Sequence, residues 1–146
     1  LQTLSLGKTM TNVELKGGSF GYAGASLFHR YKPAGEWGLS FNGNYLRSDG
    51  MYPFELVNSG LVTREKRRDS DINTFSLEAN ADVLLCGGML DAKLGYYSSE
   101  RGLPGAVNLY NKENRERLWN KNAFAQARYG CSIGDFWELQ ALAIAR

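Results

Sequence analysis

Phe75-Ser76-Leu77-Glu78-Ala79-Asn80-Ala81-Asp82-Val83 alternates without a break: the odd positions are apolar, and the even positions carry a hydroxyl, an amide or a carboxylate. A strand sends successive side chains to opposite faces, so this stretch has one oily side and one wet side. The period returns in Trp37, Leu39, Phe41, Gly43 and Tyr45 against Gly38, Ser40, Asn42 and Asn44. It returns again in Leu90, Ala92, Leu94 and Tyr96 against Asp91, Lys93 and Gly95. Wound at ~100° per residue, each run would scatter its apolar groups around the helix and leave no stripe to bury. Long amphipathic strands in series are expected, and the chain is read as all-β.

The bulk composition narrows the class. With 43% hydrophobic residues, 17 Gly, 8 Tyr and 7 Phe but a mean hydropathy of -0.37, the 146 residues hold no apolar run long enough for a spanning helix. Membrane barrels escape that test, because half of each spanning strand faces a polar lumen. The chain opens at Leu1 with no leader pattern, the expectation for a mature or excised piece. The formal charge is +2, and the run Arg64, Lys66, Arg67, Arg68 is interleaved with Glu65, Asp69 and Asp71. A nucleic-acid groove needs a one-signed stripe with stacking rings, so no nucleic-acid partner is expected. Cys86 and Cys131 both sit beside glycines and read as turn residues. Two intervening strands would part them by roughly 10 Å, which predicts free thiols.

Alternation and turn chemistry divide the chain into strands near 9–16, 20–31, 36–47, 72–85, 89–98, 118–129 and 136–146. Residues 1–8 show no consistent parity. The last segment admits a helix start, with Asp135 as cap and Glu138 as its box partner, but a strand is favoured. Short turns at 32–35, 86–88 and 130–135 fall on one side of the sheet, and long stretches at 48–70 and 99–117 on the other. Turn formers dominate the first long stretch, which reads as irregular, and Leu103-Pro104-Gly105-Ala106 in the second suits a type II turn. Outer-membrane barrels share this asymmetry of tight turns and long external loops. Trp119 and Tyr129 flank Ala123, Ala125 and Ala127 on one face. Ten steps of ~3.3 Å on a strand tilted ~40° climb roughly 25 Å, the height of a lipid-facing band between aromatic girdles. Trp37 and Trp137 stand just inside short turns, and Tyr45 and Tyr96 at the loop ends of their strands. Soluble strands usually run about 5–6 residues, and the runs here are longer, with small Ala and Gly on the oily side.

Catalytic chemistry finds little support. His29 is the single histidine, and on one strand Ser26 points away from it, so it cannot activate that hydroxyl. Glu78 and Asp82 share the wet face and read as charges on a lumen wall rather than as a hydrolase pair. Neither a phosphate loop nor a metal-spaced cluster is present in the sequence. No enzyme, catalytic residue, metal or cofactor is expected.

Several phrases carry a likeness: Gly17-Gly18-Ser19-Phe20-Gly21; Asn44-Tyr45-Leu46-Arg47-Ser48-Asp49-Gly50 running into Tyr52-Pro53-Phe54; Ser99-Glu100-Arg101-Gly102-Leu103-Pro104-Gly105; Arg117-Leu118-Trp119; and Asn122-Ala123-Phe124-Ala125-Gln126. In order and spacing, residues 13–146 resemble the barrel of a TonB-dependent outer-membrane receptor, nearest the cobalamin and ferric-siderophore branch. The resemblance implies a transmembrane, antiparallel up-and-down β-barrel, of which 1–146 would be a partial stretch of about seven strands out of about 22, without the plug domain. It implies an outer-membrane location and contact with lipid and lipopolysaccharide. It also implies uptake of a small-molecule nutrient, with TonB engaged only through parts N-terminal to this stretch. By position, the two long segments become external loops, and Tyr52, Phe54, Arg101, Tyr110, Asn111 and Arg115 become the candidate ligand contacts, since amphipathic rings and guanidinium groups suit a rigid polar ligand. Two other readings stay open. One is a complete small barrel of about eight strands with an adhesive or structural role; the other is a soluble β-sandwich that binds carbohydrate through Trp37, Trp119 or Trp137.

Overall fold

Main-chain N–H and C=O groups demand partners, so an alternating strand becomes a sheet only when neighbours complete its ladder. The computed structural model describes residues 9–33, 37–105, 116–134 and 137–146. Its strands are β1 (Met10–Gly17), β2 (Ala23–Tyr31), β3 (Trp37–Ser48), β4 (Pro53–Asn58), β5 (Leu61–Lys66), β6 (Ile72–Leu85), β7 (Gly88–Gly102), β8 (Arg117–Ile133) and β9 (Trp137–Ala145). Seven of them form one antiparallel sheet in the order β1-β2-β3-β6-β7-β8-β9, and β4 and β5 form a separate hairpin. There is no helix among the described residues. The terminal segment is therefore the favoured strand, and Asp135, the proposed helix cap, lies outside the described residues. The sheet is open: among the described residues β1 pairs with β2 alone and β9 with β8 alone, so no barrel closes here.

The register carries the sequence parity across the whole sheet. Opposed residues share a face, and one transverse row runs Trp37, Val83, Leu90, Tyr129 and Ala141. A second runs Leu27, Gly43, Leu77, Tyr96 and Ala123. The apolar residues of β6 thus continue into Leu39, Phe41 and Tyr45 on β3, Ala92 and Leu94 on β7, and Leu139 and Ala143 on β9. His29 joins this face and meets Thr11 through its Nδ1 at 2.8 Å. The opposite face carries Glu14, Ser26, Arg30, Ser40, Asn42, Asn44, Asn80, Lys93, Gln126 and Arg128. Among the described residues no second layer covers either side. Among the described residues no hydrophobic side chain is buried, while Leu94, Trp119 and Trp137 are 59%, 62% and 75% exposed.

Phe124 is a large ring on the polar face, which also carries Phe28 and Tyr97, and it is seated by Gly95, its partner on β7. A Cβ at position 95 would fall inside the Phe124 ring, so only glycine lets the ring lie against the strand. Lys93 Nζ stands 5.9 Å from the same ring's centre.

Four expectations need correction. The stretch 48–70 is not irregular: Pro53–Asn58 and Leu61–Lys66 pair through Ser59 and Gly60, whose φ values of 48° and 83° are those of a type I′ hairpin turn. Scattered Pro, Asn and Gly masked a short alternation, because a two-residue turn uses the same residues that mark loops. The second strand starts at Ala23 rather than 20, since Phe20 and Gly21 take positive φ of 60° and 65° and cannot continue a ladder. The second long stretch is shorter than 99–117, because β7 runs on to Gly102 opposite Arg117. The type II turn proposed there includes Ala106, which lies outside the described residues. Cys131 is a strand residue opposite Gly88, not a turn residue, and a single strand separates β8 from the turn that holds Cys86. Both thiols are free, as expected.

Cys86 and Gly87 make the two-residue connection of β6 to β7, with φ of 51° and 76°. A side chain with a Cβ pays for the left-handed region, least so for Asn. Cys86→Asn in the full polypeptide is expected to stabilise the fold by about 1 kcal/mol, and Cys86→Val to destabilise it. Denaturant midpoints of the folded protein measure both.

Candidate functional site

Three connections meet at one end of the sheet: residues 18–22, 49–71 and the segment after Gly102. The connections at the other end are short, the tightest being Cys86-Gly87. At the long end the backbone itself is the scaffold. The Phe20 carbonyl accepts from Asp49 N at 3.0 Å, Gly50 N at 3.3 Å and Ser48 Oγ at 3.1 Å, which ties the first connection to the second. Gly50 has φ of 61°, and a Cβ there would overlap the Ser70 carbonyl. That contact is closed by Ser70 Oγ donating to the Gly50 carbonyl at 2.6 Å. Arg67 N donates to Tyr52 O at 2.9 Å and closes the base of the hairpin.

Aromatic rings line this base. Phe20 meets Tyr52 edge-on, with centroids 6.2 Å apart, and Tyr52 meets Phe54 edge-on at 6.4 Å. Phe20 and Tyr52 are 50% and 44% exposed, so the row presents ring faces and a phenol to solvent. Such pairs hold rings in fixed relation while leaving area for a ligand.

Guanidinium groups fasten the neighbouring segment. Arg67 Nη2 donates to the carbonyls of Pro104 and Gly105, each at 2.9 Å. At the rim, Arg117 donates from Nε to Glu100 Oε1 at 2.7 Å and from Nη2 to Asp71 Oδ2 at 2.6 Å. The Arg117 pKa is raised, first by the hydrogen bond to Asp71 and then by that to Glu100. A base with a raised folded pKa contributes fully below its unfolded value and loses the contribution only as pH climbs through the folded one. For arginine that window lies above its ordinary range, so the fork stays charged at every physiological pH.

The structure brings together two of the six predicted contacts, Tyr52 and Phe54. Arg101 is on β7 between Ile72 and Leu118, on the polar face at the rim, and no polar or ring contact joins it to Tyr52 or Phe54 among the described residues. Its expected loop position is corrected: the ladder claims it before the chain leaves the sheet. Tyr110, Asn111 and Arg115 lie outside the described residues. Sequence reasoning missed Phe20, although a bulky ring inside Gly17-Gly18-Ser19-Phe20-Gly21 was its signal. It also missed Arg67, hidden in a mixed-charge run, and Arg117, whose two acidic partners come from separate strand ends.

The side chains weighed for catalysis have their own partners. Ser26 Oγ lies 3.5 Å from Glu14 Oε2 on the polar face, whereas His29 bonds Thr11 on the other. Glu78 and Asp82 do not face each other; Lys93 holds the first at 3.0 Å and Lys32 the second at 2.9 Å. No metal-ligating cluster occurs among the described residues. No family model matches this chain, and no curated protein matches it.

Arg117→Lys keeps the charge but loses the two-armed fork. It is expected to speed limited proteolysis after Leu103 several-fold, and Arg67→Lys to do the same. Timed digestion of the full polypeptide, read by mass spectrometry, checks both.

Proposed function

We propose that this sheet is a stretch of the wall of an outer-membrane β-barrel receptor, with its apolar face against acyl chains and its polar face toward a water-filled lumen. The observation that carries this reading is the uncovered apolar face, continuous over seven strands, with no buried hydrophobic side chain among the described residues. Soluble monomers rarely expose contiguous apolar patches beyond a few hundred Å². A bilayer covers such a face without a second protein layer. The aromatic placement suits it as well. Tyr31 and Trp37 touch at 5.5 Å near the short turns, and Phe75 and Tyr96 touch at 6.4 Å toward the long connections, on either side of Leu39, Phe41, Ala79 and Leu94. Unpaired edges on β1 and β9 would be costly in lipid, so the wall needs further strands beside them. That requirement favours a stretch of a larger barrel over a complete small one. A carbohydrate-binding sandwich fares worse, since the described residues supply a single layer.

Within that wall the long-connection end is the outer mouth, and the row Phe20, Tyr52, Phe54 contributes contacts to the ligand. The ligand class, a cobalamin-like or ferric-siderophore nutrient taken up with energy delivered through TonB, rests on the phrases quoted above. Binding without catalysis is the chemistry proposed.

In bilayers made with brominated lipids, the fluorescence of Trp37, Trp119 and Trp137 in the full polypeptide should be strongly quenched. Emission equal to that in unbrominated lipid would sink the reading. Ala79→Arg, near mid-height of the apolar face, should cost about 2–4 kcal/mol of stability, and Asn80→Arg on the other face far less. Tyr52→Ala should weaken nutrient binding about ten-fold, as loss of a central aromatic contact does.

A further inference from the structure

Between the touching rings of Tyr31 with Trp37 and of Phe75 with Tyr96, the strands set two further polar side chains on the apolar face, Thr11 of β1 and His29 of β2. The face's other polar groups, such as Ser98, Lys121 and Tyr129, stand level with those ring pairs or outside them. The row of Thr11 and His29 continues through Phe41, Ala79, Leu94 and Ala125, near mid-height of the face that lipid would cover. Thr11 Oγ1 and His29 Nδ1 are 2.8 Å apart, and neither side chain has another hydrogen-bond partner among the described residues. Polar and ionisable side chains at that depth are costly and find partners.

One bond leaves half of this pair unused. If the Thr11 hydroxyl donates to Nδ1, the His29 Nε2–H is a free donor and the Thr11 oxygen keeps an acceptor site. If Nδ1–H donates to Thr11, the hydroxyl hydrogen is the free donor and Nε2 the free acceptor. In either tautomer the neutral pair shows one donor and one acceptor side by side. Acyl chains supply neither. A second Thr11 and His29 supply both, and a two-fold axis makes the two exchanges identical. The surface beside the pair is self-complementary in shape as well. His29 borders a groove of about 580 Å³ whose small members are Ala79, Ala81 and Ala92. Ser40 and Asn80, whose side chains belong to the opposite face, also border it. Phe41 and Leu94 stand beside the alanines and are exposed, so one patch carries both a hollow and the side chains to fill it.

We propose that this patch joins two copies of the chain about a two-fold axis, with Thr11 and His29 of each exchanging hydrogen bonds with the same residues of the other. The proposal rests on the barrel reading, because hydrocarbon is what denies the pair water. The contact uses side chains of the outer face, so the free edge of β1 stays available to the strand that continues the wall.

Val13 follows Thr11 on the same face of β1 and is 62% exposed. In the full polypeptide in its own membrane, with Cys86→Ser and Cys131→Ser in place, Val13→Cys is treated with a short bismaleimide. The expected product has twice the mass of one chain, and mass spectrometry should find position 13 of one copy bridged to position 13 of another. Its yield should fall several-fold in His29→Leu and in Thr11→Val. Both variants set a more apolar side chain against lipid, so the fold persists, and unheated gel mobility of the single chain checks that it does. No doubled species, a bridge to a different polypeptide, or a yield unchanged in both variants would overturn the proposal. Tryptophan quenching by brominated lipid without the doubled species would leave the barrel reading standing and remove this one; the doubled species without quenching would remove the barrel reading and leave the pairing itself.

Discussion

The register of the main-chain ladder is the constraint on which everything else in this structure depends. Six antiparallel pairings place residue opposite residue over β1, β2, β3, β6, β7, β8 and β9. Because side chains alternate with period two, a slip of one residue in any pairing would carry a whole strand's oily set to the wet side. Asn80 would then stand among Leu39 and Leu94, and Ala79 beside Lys93. The burial of an apolar face, in whatever covers it, penalises every such slip. A single layer can therefore hold a unique arrangement with no interior of its own.

Side-chain polar contacts work within that frame. The ion pairs of the wet face join residues that are mostly half-exposed, and water and salt weaken such pairs. They contribute little to holding the sheet. They do match most of the charges on that face. At the long-connection end the balance differs. Connections have no ladder to satisfy their backbone, so single carbonyls such as that of Phe20, and forks such as Arg67 and Arg117, take the place of strand pairing.

Much of this is legible in the sequence. Alternation located the seven strands of the main sheet to within a few residues, and the parity argument separated Ser26 from His29 correctly. The hairpin at 53–66 was not legible as strands, because six-residue runs broken by Pro53 and Asn58-Ser59-Gly60 carry too few periods to stand above turn composition. Arg101 was misplaced for the opposite reason. The ladder extends past the end of clear alternation wherever a neighbouring strand is long enough to pair, as β8 is there. Cys131 follows the same rule: Gly130 before it suggests a turn, but the ladder runs on to Ile133. Of the aromatic row, Tyr52 and Phe54 are legible as rings in a long connection, but Phe20 joins them only through a turn that no spacing rule connects to them.

Taken alone, the order of residues determined which side chains share a face, since that follows from the two-residue repeat of an extended chain and needs no knowledge of neighbours. It also determined that the oily faces are too long and too rich in small residues for ordinary strands. Only the tertiary structure decided which groups meet across tens of residues: Asp71 and Glu100 at Arg117, Pro104 at Arg67, Phe20 at Tyr52. It alone decided that Nη2 of Arg30 is shut off from solvent without a hydrogen-bond partner among the described residues. Those outcomes depend on the register and length of each strand and on where each connection lands, which are properties of the assembled ladder rather than of any local run.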